Sequence, residues 1–382
     1  MIRIPARLTR RQLISAAAAS TAGAAIGMPA WAQQPDEILI GQSAHLSGPL
    51  APSFTAVVKG QSLAIADINA RGGIGGRPVR LITLDDAYNP KRTVENVNRL
   101  IDQDKVTALY GLASTASVGA VMPILAAKKV PLVGVYTGSP SLRMKHHPYF
   151  FTTMASYYDE VVQMLRNLET LQRTRIGVAY QTGPLGQLML PVLDAAMKQV
   201  KATIVAKAPL DPSGKDAVQA VEALAKVQPQ AVIVINFGPS MIPLVKASRK
   251  LLGVPLYCIS IANSKALLTA MGDDARGLAF TQLIPYPWRP TTNLVREFSA
   301  SMKAANLAID YDHYFGYLNL RVLLEGMRRA GRNVTPDTLV ASLEGMRKTD
   351  IGGYTVDFSP TNHHGSKFVE ITMYGPGGRY VR

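Results

Sequence analysis

From Glu37 onward, short apolar runs alternate with longer stretches in which apolar positions return every three or four residues. The first run is Ile38-Leu39-Ile40-Gly41, and the first helical stretch carries Val57, Val58, Ala64, Ile65 and Ile68 on one face. Gly72-Gly73 is placed to stop that helix, because glycine accepts the left-handed backbone that follows a last turn. Leu81-Ile82-Thr83-Leu84 reads as a second strand. Asn89-Pro90 then opens another helix, with asparagine as the cap and proline at the first helical position. Apolar runs at 106–110 and 130–135 continue the series. After Tyr149-Phe150-Phe151 the rhythm restarts, with strands expected at 176–180, 203–206, 231–235, 256–260 and 278–283. Two further helices are expected at 294–305 and 314–330, and turns with short strands from Gly352 to Arg382. Strand and helix in this alternation imply an α/β fold with parallel sheets covered on both faces.

The N-terminus changes the picture of where the chain works. Arg3, Arg7, Arg10 and Arg11 precede an Ala-rich stretch, and Ala30-Trp31-Ala32 forms a small-residue cleavage pattern. Residues 1–32 are therefore expected to be a signal peptide removed after Ala32, which sends the protein to the periplasm. The paired arginines of Thr9-Arg10-Arg11-Gln12-Leu13-Ile14 favour the twin-arginine export route. What remains is too long for one hydrophobic core, so two domains are expected. The full chain carries 41 basic against 26 acidic residues. The basic residues are scattered as singles and pairs, such as Lys128-Lys129 and Arg328-Arg329, which argues for a solvated surface and against a nucleic-acid partner. Cys258, the single cysteine, sits in an apolar run and reads as a core residue.

Several motifs invite chemistry and do not complete it. The glycines of Gly72-Gly73-Ile74-Gly75-Gly76 follow a helix and precede a strand, the reverse of a nucleotide-binding turn. His146-His147 and His363-His364 lie beside Pro or Gly, where polar loops explain them without a metal. Asp85-Asp86 at a strand end are expected to shape a turn and the helix start after it. No catalytic set, metal site or cofactor site assembles, and no enzyme is expected.

Ala66-Asp67-Ile68-Asn69-Ala70-Arg71-Gly72-Gly73-Ile74-Gly75-Gly76-Arg77-Pro78-Val79 resembles the first-lobe signature of branched-chain amino-acid-type periplasmic solute-binding proteins of ABC transporters. Leu84-Asp85-Asp86-Ala87-Tyr88-Asn89-Pro90-Lys91 is similar to the next segment of that family, and Leu46-Ser47-Gly48-Pro49 to its first ligand loop. The resemblance implies a type I periplasmic binding protein: two doubly wound Rossmann-like lobes joined by three crossovers, expected near Ala155, Ile284 and Thr355. Lobe 1 would comprise 36–155 and 284–355, and lobe 2 would comprise 156–283 and 356–382. It implies ligand contacts from Ser53 and Phe54, from Ala113, Ser114 and Thr115, and from Tyr136, Thr137 and Gly138. In the second lobe the matching positions are Leu185, Phe237 and Ser260.

Ser114 and Thr115 fit this independently, because they follow a strand and open a helix, where free N–H groups bind a carboxylate. Ser260 stands where amino-acid-binding members carry an acid for the α-ammonium group, and Leu185 where they carry a tyrosine. Tyr88 and Ser114 replace the family's first-lobe cysteines. A buried ammonium without a carboxylate partner is costly. The expected ligand is therefore a small carboxylate or amide with an apolar or aromatic body, unless another acid reaches the site. The expected partner is an inner-membrane ABC permease, with the receptor acting as a monomer. A periplasmic sensor using the same clamp, and an exported hydrolase, are the alternatives.

Overall fold

A computed structural model of the protein describes residues 37–382 apart from Pro49. The signal segment, its cleavage after Ala32 and Pro49 of the first ligand loop lie outside the described residues.

The first sheet is built from β1 (Ile38–Ala44), β2 (Val79–Asp85), β3 (Ala108–Tyr110), β4 (Leu132–Val133) and β5 (Phe150–Phe151). All its pairings are parallel, in the order β2-β1-β3-β4-β5. Between the strands run α1 (Ala51–Ala70), α2 (Pro90–Asp102) and α3 (Thr115–Lys128). Asn89 caps α2 by accepting the Lys91 N–H at 2.9 Å, with Pro90 as the first helical residue. β1 and β2 run in register from Ile38–Val79 to Ala44–Asp85, so their carboxyl ends are level. The loops that follow these strands therefore open on one edge, the place where open α/β sheets bind ligands.

The second lobe repeats the plan with α4 (Tyr157–Thr170), β6 (Arg175–Gln181), α5 (Pro184–Met197), β7 (Thr203–Leu210), α6 (Ala217–Ala225) and β8 (Ala231–Ile235). It continues through α7 (Met241–Leu251), β9 (Leu256–Cys258), α8 (Lys265–Met271) and β10 (Ala279–Gln282). Every residue of β8 is buried, which is why its sequence is continuously apolar rather than alternating. Cys258 lies in β9 with its side chain fully buried, and burial pushes its thiol up to about 12. The chain then returns to form α9 (Asn293–Ala304), α10 (Tyr311–Ala330), α11 (Pro336–Glu344) and a hairpin of β11 (Thr349–Asp350) and β12 (Thr355–Val356). Finally β13 (Glu370–Tyr374) and β14 (Tyr380–Val381) add two antiparallel strands, giving β14-β13-β10-β9-β8-β6-β7. Among the described residues no helix is long and apolar enough to cross a membrane.

Three expectations need correction. The third crossover lies beyond Thr355, and residues 357–365 still bond to the first lobe. Phe358 packs edge-on against Phe151 of β5 at 5.6 Å, and His364 pairs with Thr152 before the chain reaches β13. The reason is aromatic burial, and for His363 it also overturns the reading as loop polarity, whereas His146 is exposed. His363 is buried and stacked 3.8 Å from Phe151, with its ring nitrogens against the His147 carbonyl and Glu344. The last long helix starts at Tyr311 rather than at residue 314, because Asp310 caps it by accepting the His313 N–H at 2.9 Å.

α10 lies against α1 at unusually close range. A Cβ on Gly60 would sit 1.9 Å from the His313 carbonyl oxygen, and one on Gly316 would sit 2.0 Å from that of Val57. Glycine inside a helix costs roughly 1 kcal/mol relative to alanine. Here that cost is offset by a backbone-to-backbone approach that seats the first turn of α10 over the edge where the loops gather.

Candidate functional site

The loops at the carboxyl ends of both sheets enclose a cavity of about 610 Å³. That is within the range of small-molecule sites. Its wall includes Phe54, Ala113, Ser114, Thr115, Tyr136, Thr137 and Gly138 from the first lobe, and Leu185, Phe237 and Ser260 from the second. Ser53 belongs to α1, but its side chain is outside the described residues.

One end of the cavity is a helix start. Ser114 caps α3 with its hydroxyl toward the Ser117 N–H at 3.5 Å. Its backbone is at φ 72°, ψ 130°, a region that costs a non-glycine residue on the order of 1–3 kcal/mol. The turn keeps the N–H groups of Thr115 and Ala116 free of protein partners among the described residues, and both residues face the cavity. Beside them the hydroxyls of Thr115 and Thr137 lie 2.8 Å apart. Gly138 follows, and a Cβ there would meet the Tyr157 ring at 2.6 Å, so only glycine lets this loop close on α4. Free N–H groups, the positive end of α3 and two hydroxyls form an anion cradle.

The middle of the wall is apolar and aromatic. Phe54 meets Tyr136 edge-on at 5.0 Å, and Phe315 of α10 meets the same ring at 5.1 Å. The Tyr136 hydroxyl points away from ligand chemistry: it bonds Tyr110 at 2.8 Å and accepts from Gln61 at 3.0 Å. Its burial pushes the phenol up to about 12, so the ring serves as a neutral surface. From the second lobe, the Gln181 side-chain amide donates to Asn236 at 2.8 Å and to the Phe237 carbonyl at 3.1 Å. Those bonds hold Phe237 against the cavity.

Ser260 is backed by an acid that the sequence concealed. Glu160, fully buried on α4, accepts the Ser260 N–H at 2.8 Å and its hydroxyl at 2.9 Å, and also the Thr281 hydroxyl. Burial dominates and pushes the Glu160 carboxyl up to about 7 against these bonds. The acid absent at position 260 thus has a counterpart one layer behind the wall, where it holds Ser260 in place.

A family model described as a periplasmic binding protein matches residues 37–378, nearly the whole described chain. The chain belongs to that family. The Leu/Ile/Val-binding protein homolog 3 of Brucella melitensis is 24% identical over 346 residues, which cover 89% of this chain and 92% of that protein. A substrate-binding periplasmic protein of Ralstonia solanacearum shares the fold with a TM-score of 0.81 at 30% identity, over 90% of this chain and 99% of its own. An extracellular ligand-binding receptor of Verminephrobacter eiseniae gives a TM-score of 0.84 at 26% identity, over 91% of this chain and 100% of its own. The type I periplasmic binding protein fold follows from these matches together with the two sheets.

His45, Ser264 and Asp312 are among the wall residues that were not expected from the sequence. His45 follows β1 and is buried between Phe54 and Tyr88, at ring distances of 4.4 and 5.4 Å. Its Nδ1 has no partner among the described residues, and burial lowers its pKa, so it faces the cavity neutral. Ser264 contributes a buried hydroxyl. Asp312, in the first turn of α10, brings to the wall the further acid that the sequence left open. A signal for it was present: Asp310 stands three residues before His313, and Tyr311, Tyr314, Phe315 and Leu318 already keep helical spacing.

Proposed function

We propose that this protein is the periplasmic substrate-binding protein of an ABC transporter and that it captures a small carboxylate with an apolar or aromatic body. The observation that carries this reading is the pairing of an anion cradle at Thr115, Ala116 and Thr137 with an aromatic wall of Phe54, Tyr136 and Phe315. The expected signal peptide and the family match support the location and the delivery to a membrane permease. Closure of the two lobes on the ligand would present the bound form to that permease.

The α-ammonium group of an amino acid is one carbon from its carboxylate, so its partner must stand beside the cradle. Ser260 offers a hydroxyl already turned to Glu160. Asp312 lies one helical turn before Phe315 and is held by the Lys265 N–H of the second lobe, not by any residue of the cradle. This arrangement supports a ligand without an α-ammonium group.

A thermal-shift screen of the purified protein against amino acids, short fatty acids, aromatic acids, keto acids and amides tests the reading. A ligand at about 100 times its dissociation constant adds roughly 2.7 kcal/mol to stability. Aromatic or branched apolar acids are expected to raise the melting temperature. Strong stabilisation by leucine or valine, with none by apolar acids, would overturn the choice of ligand.

A further inference from the structure

Two polar atoms on the cavity wall, one on Asp312 and one on Ser264, have no partner among the described residues. Asp312 accepts the Lys265 backbone N–H through Oδ2 at 3.0 Å, while Oδ1 has no hydrogen-bond partner among the described residues. Ser264, the residue before Lys265, is 3% exposed, and its Oγ has no partner among the described residues. Both side chains line the cavity. They come from different lobes, Ser264 from the start of α8 and Asp312 from the start of α10, and the Lys265 N–H ties them together. A buried hydroxyl left unpaired costs on the order of 1–3 kcal/mol. Such a group in a ligand cavity is placed for a partner that arrives with the ligand.

Resting on the proposed capture of an apolar carboxylate, we infer that the natural ligand carries a hydroxyl group at the end opposite its carboxylate, received by Asp312 and Ser264. The carboxylate cradle and this pair share no hydrogen bond among the described residues: the steps between them run from Thr137 to its neighbour Tyr136, across 5.1 Å to the Phe315 ring, and one helical turn back to Asp312. A ligand spanning them is a rod with an acid at one end and a hydroxyl at the other. The hydroxyl donates to Asp312 Oδ1 and accepts from the Ser264 hydroxyl, which satisfies both groups and its own two roles. A cationic amine fits less well. The surrounding wall is apolar, so a charged head would lose more hydration than a hydroxyl does. The adjacent charges are already matched, with Lys265 Nζ on Asp310 at 3.1 Å and His313 on the other Asp310 oxygen at 2.8 Å. Burial also pushes the Asp312 carboxyl up to about 7, and a carboxyl that is half protonated at neutral pH exchanges hydrogen bonds readily with a neutral partner. A second cavity of about 260 Å³ shares Asn263, Tyr311 and Asp312 with the first.

Calorimetric titration of the full protein with 3-(4-hydroxyphenyl)propanoate, 3-phenylpropanoate and 3-(4-aminomethylphenyl)propanoate tests this directly. The hydroxylated acid is expected to bind at least about tenfold more tightly than the unsubstituted one, about 1.4 kcal/mol. Asp312→Ala and Ser264→Ala should each bring the two acids to within about threefold of each other, while 3-phenylpropanoate keeps its wild-type affinity. If Asp312→Ala does not fold, Ser264→Ala and the wild-type ratio still decide. Equal wild-type affinities for the two acids would overturn the hydroxyl and leave the carboxylate receptor standing. Tightest binding of the aminomethyl compound would overturn it in favour of a cation. Binding of none of the three would overturn both readings.

Discussion

At one end of the cavity, Ser114, Thr115 and Thr137 stand on two loops that follow neighbouring strands of one sheet. At the other, Ser264 and Asp312 meet from two lobes and are joined by one backbone hydrogen bond. The first end is local: a strand, a strained turn and a helix start make it, and each piece lies within a few residues of the next. The second exists only because α10 lies against α1 closely enough for Gly60 and Gly316 to touch backbone. A local device can form wherever a strand leads directly into a helix, whereas a device assembled across lobes can differentiate ligands and report closure.

The strongest way to break this comparison is to place a negative charge in the cradle. Thr115→Asp puts a carboxylate at the first turn of α3, where the helix dipole tolerates it, but opposes the ligand's carboxylate at contact range. Like charges so placed cost several kcal/mol, so affinity for every carboxylate should fall by at least about 100-fold in calorimetry, with the melting temperature of the free protein unchanged or raised.

The hidden acid behind Ser260 gives a pH test of comparable size. The Glu160 carboxyl is raised from an ordinary 4.5 to about 7, so between these values the folded protein holds a proton that the unfolded chain has lost. Its contribution is therefore fully present below about pH 4.5 and declines as pH rises toward 7. Glu160→Gln can keep the acceptor for the Ser260 N–H, and should gain stability on the order of 2–3 kcal/mol over the wild type at pH 8. At pH 4.5 the two proteins should melt together. Denaturant titrations at both pH values check it, and an equal gain at both would remove Glu160 as the cause.

Gly316→Ala aims at the assembled end. With 2.0 Å to the Val57 carbonyl, a methyl must push α10 away from α1, at about 1–3 kcal/mol by urea unfolding. Discrimination at the Asp312 end should weaken while carboxylate binding at Thr115 persists.

The smallest effect expected is that of Lys265→Met. The ammonium group of Lys265 is half exposed in its pair with Asp310, and such pairs contribute less than about 1 kcal/mol. Asp312 is held by the Lys265 backbone N–H, which the substitution retains. A loss of ligand discrimination in this variant would show that the ammonium group, rather than the backbone, organises the far end.

Much of the architecture was legible because it is written in period and punctuation. The apolar run of β8, the Asn89-Pro90 start of α2 and the strand-to-helix step at Ser114 are each local patterns with local causes. Ten of the eleven residues expected at the site lie on the cavity wall, and the eleventh, Ser53, has no described side chain. The family resemblance supplied those positions, and Ser114 and Thr115 were reachable on their own because they follow a strand and open a helix. Glu160 was not legible: it looks like any polar residue in the first turn of a capped helix, and only Ser260 and Thr281, more than 90 positions away in the chain, make it a buried acid. His363 misled for the same reason, since a histidine beside glycine reads as solvated until Phe151 stacks on it.

By itself, then, the sequence determined the alternation of strands and helices, the Asn89-Pro90 helix start and the strand-to-helix step at Ser114, all of which depend on neighbours along the chain. The tertiary structure alone decided that Asp312 and Ser264 share the cavity wall, that Glu160 stands behind Ser260, and that residues 357–365 stay with the first lobe before the chain reaches β13. These depend on which distant surfaces meet, and that is set by the close crossing of α1 and α10 and by the burial of aromatic rings, neither of which leaves a periodic trace in the sequence.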